Sequence, residues 1–309
     1  MSSEQAPYNE STGVIQSWVA TLDLLAFSAG IVQAAASQTS DAHLKALRTT
    51  LRKANAELST DYWTTKFYSD NALVACPIHS DGESESIDVW ERLAAYQHRL
   101  VFADYTVRGA LGVGEAYVDE DLAYGLAMLE AHYSEQCVAK YPRIILTKPA
   151  RRAAARYCEY FDKTINRAAS YPLLVDHDGE WFIDYLWIDD HYFEEDLSQH
   201  QAIVQRNLNC TAGHRGRHAK HEWVAAYHNY VCEVTGNQSL KVSDSLTIPG
   251  PRGRISNADV EQVVEEQHQR ARDDDEYSDI AKVIEIATRR IGDPNDGLDE
   301  GTAKARQVV

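Results

Sequence analysis

The stretch Ser17–Leu25 reads SWVATLDLL, and the small-residue segment Phe27–Ser37 follows it almost directly. A β-rich apolar run predicts a strand, and the small-residue segment behind it is compatible with a helix. One carboxylate, Asp23, interrupts the apolar run near its end. The sequence therefore predicts a strand that runs into a helix and carries an acidic side chain at the junction.

A helix and a hairpin follow this strand. Asp41–Thr60 has leucines at helical intervals, and residues 63–78 read WTTKFYSDNALVACPI. Two aromatic and β-branched runs separated by Ser69-Asp70-Asn71 predict a β-hairpin with Asp70 at its tip.

Two helices and two strands complete the first half of the chain. Ile87–Phe102 and Leu122–Cys137 have helical periodicity, and Arg143–Leu146 predicts a short strand. Thr106–Val118 reads TVRGALGVGEAYV, a strand whose glycines permit close backbone approach. This order of elements predicts an α+β fold in which helices cover one side of a sheet.

The pattern changes beyond residue 149. A basic helical stretch is followed by a hairpin around Asp176–Gly179 and by helices at Leu197–Leu208 and Ala219–Val234. The segment His214–His221, HRGRHAKH, is interpreted as a basic loop that enters the last of these helices.

Composition limits the classes of function. The 309 residues include 30 Lys and Arg against 47 Asp and Glu, a formal net charge of −17. This charge repels a polyphosphate backbone, so we expect no general binding to nucleic acid. Scattered cysteines, a polar N-terminus without signal-peptide order and short apolar runs predict a soluble cytoplasmic protein that binds no membrane.

Asp23 and Asp70 would lie side by side if the first strand pairs with the hairpin. Two such carboxylates can hold two divalent cations. The amides of Leu25–Ser28 open a helix, and a helix N-terminus favours phosphate. Metals and a helix N-terminus together suit a nucleoside triphosphate, although either aspartate could instead be a helix cap or a turn residue.

Three segments resemble class III nucleotide cyclase homology domains. DLLAFS at Asp23–Ser28 is similar to the start of that domain, and KFYSDN at Lys66–Asn71 is similar to its second metal-binding hairpin. VRGALGVGEAYVDEDLAYG at Val107–Gly125 resembles its glycine-punctuated strand and loop. The hairpin, the RGA strand and KHEWVAAYHNY at residues 220–230 are closest to the bacterial pyrimidine cyclases of the Pycsar anti-phage system.

The resemblance implies a ferredoxin-like palm core with helical and hairpin C-terminal additions. A polar segment, 1–15, would precede a catalytic domain at 16–148. A helical and hairpin extension would occupy 149–240, and an acidic helical segment and tail would occupy 241–309.

The implied activity is that of a uridylate cyclase, which converts UTP to 3′,5′-cyclic UMP and pyrophosphate. The cyclic nucleotide would act on a separate effector in anti-phage defence. The active sites would lie at the interface of a homodimer, so that an isolated chain lacks half of each site. Cytidylate cyclase acting on CTP, adenylate cyclase and a non-catalytic nucleotide-binding sensor are the alternatives. A diguanylate-cyclase or polymerase palm ranks last, because the GG(D/E)EF signature is absent.

The resemblance also assigns residues. Asp23, Asp70 and the main-chain carbonyl of Leu24 would bind two Mn²⁺ or Mg²⁺ ions per active site, and Asp23, Asp70 and Arg108 would be catalytic. Substrate contacts would come from Phe27, Ser28, Lys66, Asn71 and Arg108. Where adenylate and guanylate cyclases carry a transition-state Asn and Arg, this sequence has Leu129 and Tyr133.

Overall fold

The computed structural model describes residues 7–8, 13–25, 27–79, 83–165, 171–242 and 246–272. Within these ranges the chain is mixed α+β and contains one large mixed sheet. The predicted tail beyond residue 272 lies outside the described residues.

The elements alternate along the chain. The first half contains β1 (Ile15–Leu24), α1 (Phe27–Ala36), α2 (Ser40–Glu57), β2 (Thr64–Tyr68), β3 (Asn71–Pro77), α3 (Glu83–Val101), β4 (Val107–Val118), β5 (Ala123–Tyr124), α4 (Leu126–Cys137) and β6 (Ile144–Leu146). The second half contains α5 (Lys148–Ile165), β7 (Leu173–Val175), β8 (Trp181–Ile183), α6 (Glu194–Thr211), α7 (Arg215–Val234), a 3₁₀ turn at Gln238–Leu240, β9 (Gly253–Arg254) and α8 (Asn257–Arg272).

The sheet has the order β2-β3-β1-β4-β6-β8-β7-β9, and β5 pairs with β4 at one side. The pairing of β4 with β6 is parallel, and the other neighbours are antiparallel. From β1 to β4 the chain runs strand, helices, two strands, helix, strand, and the spatial order is β2-β3-β1-β4. This is the split βαβ arrangement, in which β1 lies at the centre of its four-stranded unit.

Helices cover both faces of the sheet. Trp18, Ala20 and Leu22 on β1 belong to a core cluster with residues of α2, α3 and α5, whereas Val19 points to the other face and packs with α4. Farther along that second face, α6 and α7 cover β6, β7 and β8. The expectation of a sheet covered on one side is therefore wrong, because α4 and the C-terminal helices α6 and α7 pack on the face opposite α2 and α3.

The predicted hairpin around Asp70 is confirmed, but the predicted helix Leu122–Cys137 begins later. The carboxylate of Asp119 accepts a hydrogen bond from the amide of Leu122 at 2.7 Å, which closes a turn before β5. Gly125 follows with φ of 128°, and a Cβ there would lie 2.3 Å from the carbonyl oxygen of Glu115. Only glycine fits at this close crossing, so α4 starts after it.

The strands that follow residue 148 extend the same sheet. β8 pairs with β6 through Phe182 and Ile145, and β7 and β9 continue outward from β8. Met1–Val263 forms one compact unit, and the described part of the second unit is the end of α8. The division at residue 148 stays a prediction. In the described part of the chain, no helix has both the length and the apolar character needed to cross a bilayer.

Candidate active site

The end of β1 brings the predicted aspartates together. Asp23 pairs with Asn71 on β3 and with Arg108 on β4. The amide of Leu24 donates a hydrogen bond to the carbonyl oxygen of Asp70 at 2.9 Å. The β2–β3 turn is thus tied to the junction that follows β1, and Asp70 lies close enough to Asp23 for their charges to interact.

The hairpin turn itself is tight. Tyr68 pairs with Asn71, so Ser69 and Asp70 form a two-residue turn, and Ser69 has φ of 58°. A left-handed residue at this position matches the twist of the flanking strands. The side-chain amide of Asn71 donates to Oδ1 of Asp70 at 3.1 Å and orients that carboxylate.

Arg108 joins two carboxylates on the same face of the sheet. Its Nη2 lies 3.0 Å from Oδ2 of Asp23 and 2.6 Å from Oε1 of Glu135. The side chain of Glu135 is 2% exposed, whereas those of Asp23 and Arg108 are 19% and 21% exposed. The planar guanidinium has several donors, so it can serve both acids and cross-link β1, β4 and α4.

Glu135 reaches Arg108 because α4 lies unusually close to β4. The buried side chains of α4 are Ala127, Ala131 and Glu135, one helical turn apart in each case. At Gly112 a Cβ would lie 2.8 Å from the carbonyl oxygen of Ala127. Small residues on both elements therefore allow the contact that holds Glu135 over the sheet.

Burial and neighbouring charges shift the pKa values of two acids in this cluster. Burial raises the pKa of Asp23, Arg108 lowers it, and the nearby charge of Asp70 raises it again. Burial also raises the pKa of Glu135. Arg108 lowers this pKa, and the charge of Asp23 raises it again. A carboxylate whose pKa is raised by burial and by neighbouring negative charge is stabilised in its charged form by an added cation.

The donor set fits a hard divalent cation. Mg²⁺ in phosphoryl-transfer sites is bound by one or two carboxylates together with substrate phosphates and water. Asp23 and Asp70 supply such carboxylates, and the main chain of Leu24 lies beside them. Among the described residues there is no group of three or more His, Cys, Asp or Glu side chains suited to a metal. The protein would therefore supply only part of the coordination shell.

Three further predicted residues are not gathered into this cluster. Ser28 is exposed in the first turn of α1. Phe27 packs against the core of the opposite face and lines an open cavity of about 900 Å³ beside α2 and β2. Lys66 lies opposite Leu73 on β3, and its charge interacts with Asp119. Their roles in substrate binding stay predictions.

Sequence reasoning missed two charged residues near the cluster. Glu135 could have been noticed as an acid on the small-residue stripe of α4. Lys220 lies in α7, is half-buried and interacts electrostatically with Asp23 and Arg108. Burial and Arg108 lower the pKa of Lys220, whereas Asp23 raises it. Its sequence signals were the basic segment His214–His221 and the segment 220–230, which begins with Lys220.

The similarity to class III nucleotide cyclases is found by comparing structures and not by comparing sequences. No protein-family model and no curated protein matches the sequence. The guanylyl cyclase Cya2 is 14% identical, with a TM-score of 0.36 over 46% of this chain and 79% of that chain. A class III adenylyl cyclase-like ATP-binding protein from Pseudomonas aeruginosa is 12% identical, with a TM-score of 0.37 over 45% of this chain and 35% of that chain. Both TM-scores are below 0.5, so neither likeness bears on the activity of this chain.

Proposed function

We propose that this chain is a nucleotide cyclase, which closes a nucleoside triphosphate to a 3′,5′-cyclic nucleotide and releases pyrophosphate. The observation that carries the proposal is the juxtaposition of Asp23, Asp70 and Arg108 at the end of β1. The strand order β2-β3-β1-β4 supports the ferredoxin-like palm expected for such a domain.

The proposed substrate is UTP, and the proposed product is cyclic UMP that acts on a separate effector in anti-phage defence. The choice of a pyrimidine rests on the resemblance of the hairpin Lys66–Asn71, the RGA strand and the segment 220–230 to pyrimidine cyclases, and the choice of UTP over CTP rests on overall likeness. CTP and then ATP are the next candidates. Uracil and cytosine differ at one edge where a carbonyl replaces an amine, so one side chain can decide between them.

The residues of the site would have different roles in the reaction. Mn²⁺ or Mg²⁺ held by Asp23, Asp70 and the Leu24 carbonyl would lower the pKa of the ribose 3′-hydroxyl and neutralise the triphosphate. Arg108 would offer N–H donors to the α-phosphate, where negative charge develops as the 3′-oxygen attacks. Glu135 would hold Arg108 in position for this contact.

An exposed apolar surface supports the proposed homodimer. Four large side chains around β5 and the start of α4 are 44–61% exposed: Leu122, Tyr124, Leu126 and Leu129. Clustered apolar side chains of this size are typical of protein–protein contacts. A second copy placed there would lie beside α4, the helix that carries Glu135.

A second candidate is a non-catalytic sensor that binds a nucleotide. It is favoured by Leu129 and Tyr133 at the positions where the resemblance leads one to expect an Asn and Arg pair. It is also favoured by the engagement of Arg108 with two carboxylates.

The two candidates are separated by incubating the purified chain with Mn²⁺ and each of UTP, CTP, ATP and GTP, with products identified by mass spectrometry. We expect cyclic UMP from UTP. Another cyclic nucleotide would retain the cyclase and change its substrate. No product from any of the four would contradict the cyclase and favour the sensor.

A further inference from the structure

The start of α7 concentrates positive charge in a strongly acidic protein. Arg215, Arg217 and Lys220 lie within its first two turns, and none of them forms an ion pair with a described residue. In a chain with a net charge of −17, cations without carboxylate partners at one helix end are a local positive field.

Packing places this end of α7 on the face of the sheet that carries Arg108. Trp223 and Val224 share a buried cluster with Ala110 on β4. Ala110 and Arg108 are two residues apart on the strand, so their side chains point to the same face. Lys220 precedes Val224 by one helical turn, which puts the two on the same side of α7.

A second set of contacts ties α7 to the end of β1. His221 and Val224 line a small cavity together with Thr106 and Pro142. The carbonyl oxygen of Thr106 accepts a hydrogen bond from the amide of Leu25 at 2.9 Å. Thr106 therefore bonds to Leu25, which lies two residues after Asp23. It also shares a cavity with His221, which follows Lys220 in the chain.

The site needs a cation besides Arg108. The guanidinium of Arg108 is shared between Asp23 and Glu135, and Asp70 adds a further negative charge nearby. Catalysis of phosphoryl transfer depends chiefly on positioning and on positive charge around the phosphates. Lys220 is half-buried, and its ammonium interacts with the charges of both Asp23 and Arg108.

We propose that Lys220 binds the triphosphate of the substrate in its own chain, so that α7 supplies part of the active site. This inference rests on the proposed function and deepens it. It assigns to the C-terminal extension the positive charge that Leu129 and Tyr133 do not provide.

The test compares Lys220→Ala and Lys220→Arg with the matched control Lys53→Ala. Lys53 is an exposed lysine of α2 with no ion-pair partner among the described residues. Two quantities are measured: the rate of cyclic-product formation, and the affinity for UTP in the presence of Mn²⁺ by calorimetry. We expect Lys220→Ala to lower kcat/KM and affinity by about ten- to a hundredfold, because a charge-assisted hydrogen bond is lost. Lys220→Arg should recover most of the loss, and Lys53→Ala should match the wild type.

The outcomes separate this inference from the proposed function. If the wild type forms product and Lys220→Ala matches Lys53→Ala in rate and affinity, the role of Lys220 is overturned and the cyclase stands. If the wild type forms no product from any triphosphate, the cyclase fails and the affinity for UTP decides the role of Lys220. Weaker binding in Lys220→Ala alone then supports the phosphate contact, and equal binding in the two variants overturns it.

Discussion

Arg108 is the residue through which the candidate site is organised. It bridges Asp23, the proposed metal ligand at the end of β1, and Glu135, which is almost wholly buried on α4. An arginine between two acids of unequal exposure is held most firmly by the buried one, where the dielectric constant is lower. Glu135 should therefore draw Arg108 away from Asp23 and leave the Asp23 carboxylate accessible to a cation.

Replacement of Glu135 by glutamine tests this positioning role. In Glu135→Gln, Arg108 loses one of its two carboxylate contacts and keeps the one with Asp23. Arg108 then competes more strongly with a metal for the Asp23 carboxylate. We expect the Mn²⁺ concentration for half-maximal product formation to rise by about tenfold or more, the size of effect typical when a supporting contact around a metal site is removed. Glu120→Gln, at an exposed position, is the control. An unchanged Mn²⁺ dependence in Glu135→Gln would remove Glu135 from the site.

The sequence predicts some of these residues and not others for a physical reason. Strand alternation and hairpin chemistry place Asp23 and Asp70 at one sheet edge, and their neighbourhood follows from the pairing of β1 with β3. Glu135 and Lys220 reach the same place only because α4 and α7 dock on that face of the sheet. Helical periodicity identifies a buried stripe but not the surface against which it packs.

At the scale of elements, the approach of α4 to β4 sets the geometry of the cluster. The glycines of β4 were predicted to permit close backbone contact, and this is confirmed at Gly112, where the Ala127 carbonyl leaves no room for a Cβ. The prediction that helices cover one side of the sheet was wrong for the same reason that Lys220 was missed. The patterns of α4, α6 and α7 show that each helix has a buried face, but not which face of the sheet receives it.

Adding one methyl group at this crossing tests its importance. Gly112→Ala would place a Cβ 2.8 Å from a backbone oxygen, so α4 must shift. We expect the free energy of unfolding to fall by about 1–3 kcal/mol, as for other overpacked sites, and product formation to fall with it. Gly213→Ala is the control, because a Cβ there meets nothing within 4 Å. Equal stability of the two variants in urea unfolding would contradict the close packing.

At the scale of the molecule, a buried polar network binds the two halves together. Arg143, directly before β6, is fully buried and pairs with Asp176 and Asp178 of the β7–β8 turn. The indole of Trp223 on α7 donates to Oδ2 of Asp176 at 2.7 Å. The first half of the sheet, the C-terminal hairpin and α7 therefore share one network of ion pairs and a hydrogen bond, which fixes the helix that carries Lys220.

Removal of the central cation should be costly. Arg143→Met removes the arginine partner of buried Asp176, which keeps its contacts with His177 and Trp223, and we expect a loss of about 3–5 kcal/mol in the free energy of unfolding. Arg99→Met is the control, because Arg99 is 59% exposed in its pair with Glu57 and should cost less than about 1 kcal/mol. Urea unfolding measures both, and similar losses in the two variants would argue against a structural role for the buried network.

Stability should also fall in mild acid because of His200. Nε2 of His200 lies 3.0 Å from the hydroxyl of Tyr185, and Nδ1 lies 3.1 Å from Nδ1 of His228. Burial holds the pKa of His200 well below its ordinary value, and the charges of His228 and His98 lower it further. Below about pH 6.5 the unfolded chain therefore binds a proton that the folded chain does not, which costs up to about 1.4 kcal/mol per pH unit.

His200→Gln cannot take up this proton. We expect its urea-unfolding midpoint to fall less between pH 7.5 and pH 5.5 than that of the wild type. Some dependence should remain, because burial also lowers the pKa of His228. Identical pH dependence in the wild type and His200→Gln would contradict a neutral buried His200.

The most direct test of the central claim is cyclic-nucleotide formation by Asp70→Ala in the presence of Mn²⁺, measured by mass spectrometry beside the wild type and the exposed-site control Asp61→Ala. If Asp23 and Asp70 form the metal site, product is lost in Asp70→Ala and kept in Asp61→Ala, while circular dichroism shows that both variants are folded. Product formation by Asp70→Ala at the wild-type rate would contradict the account.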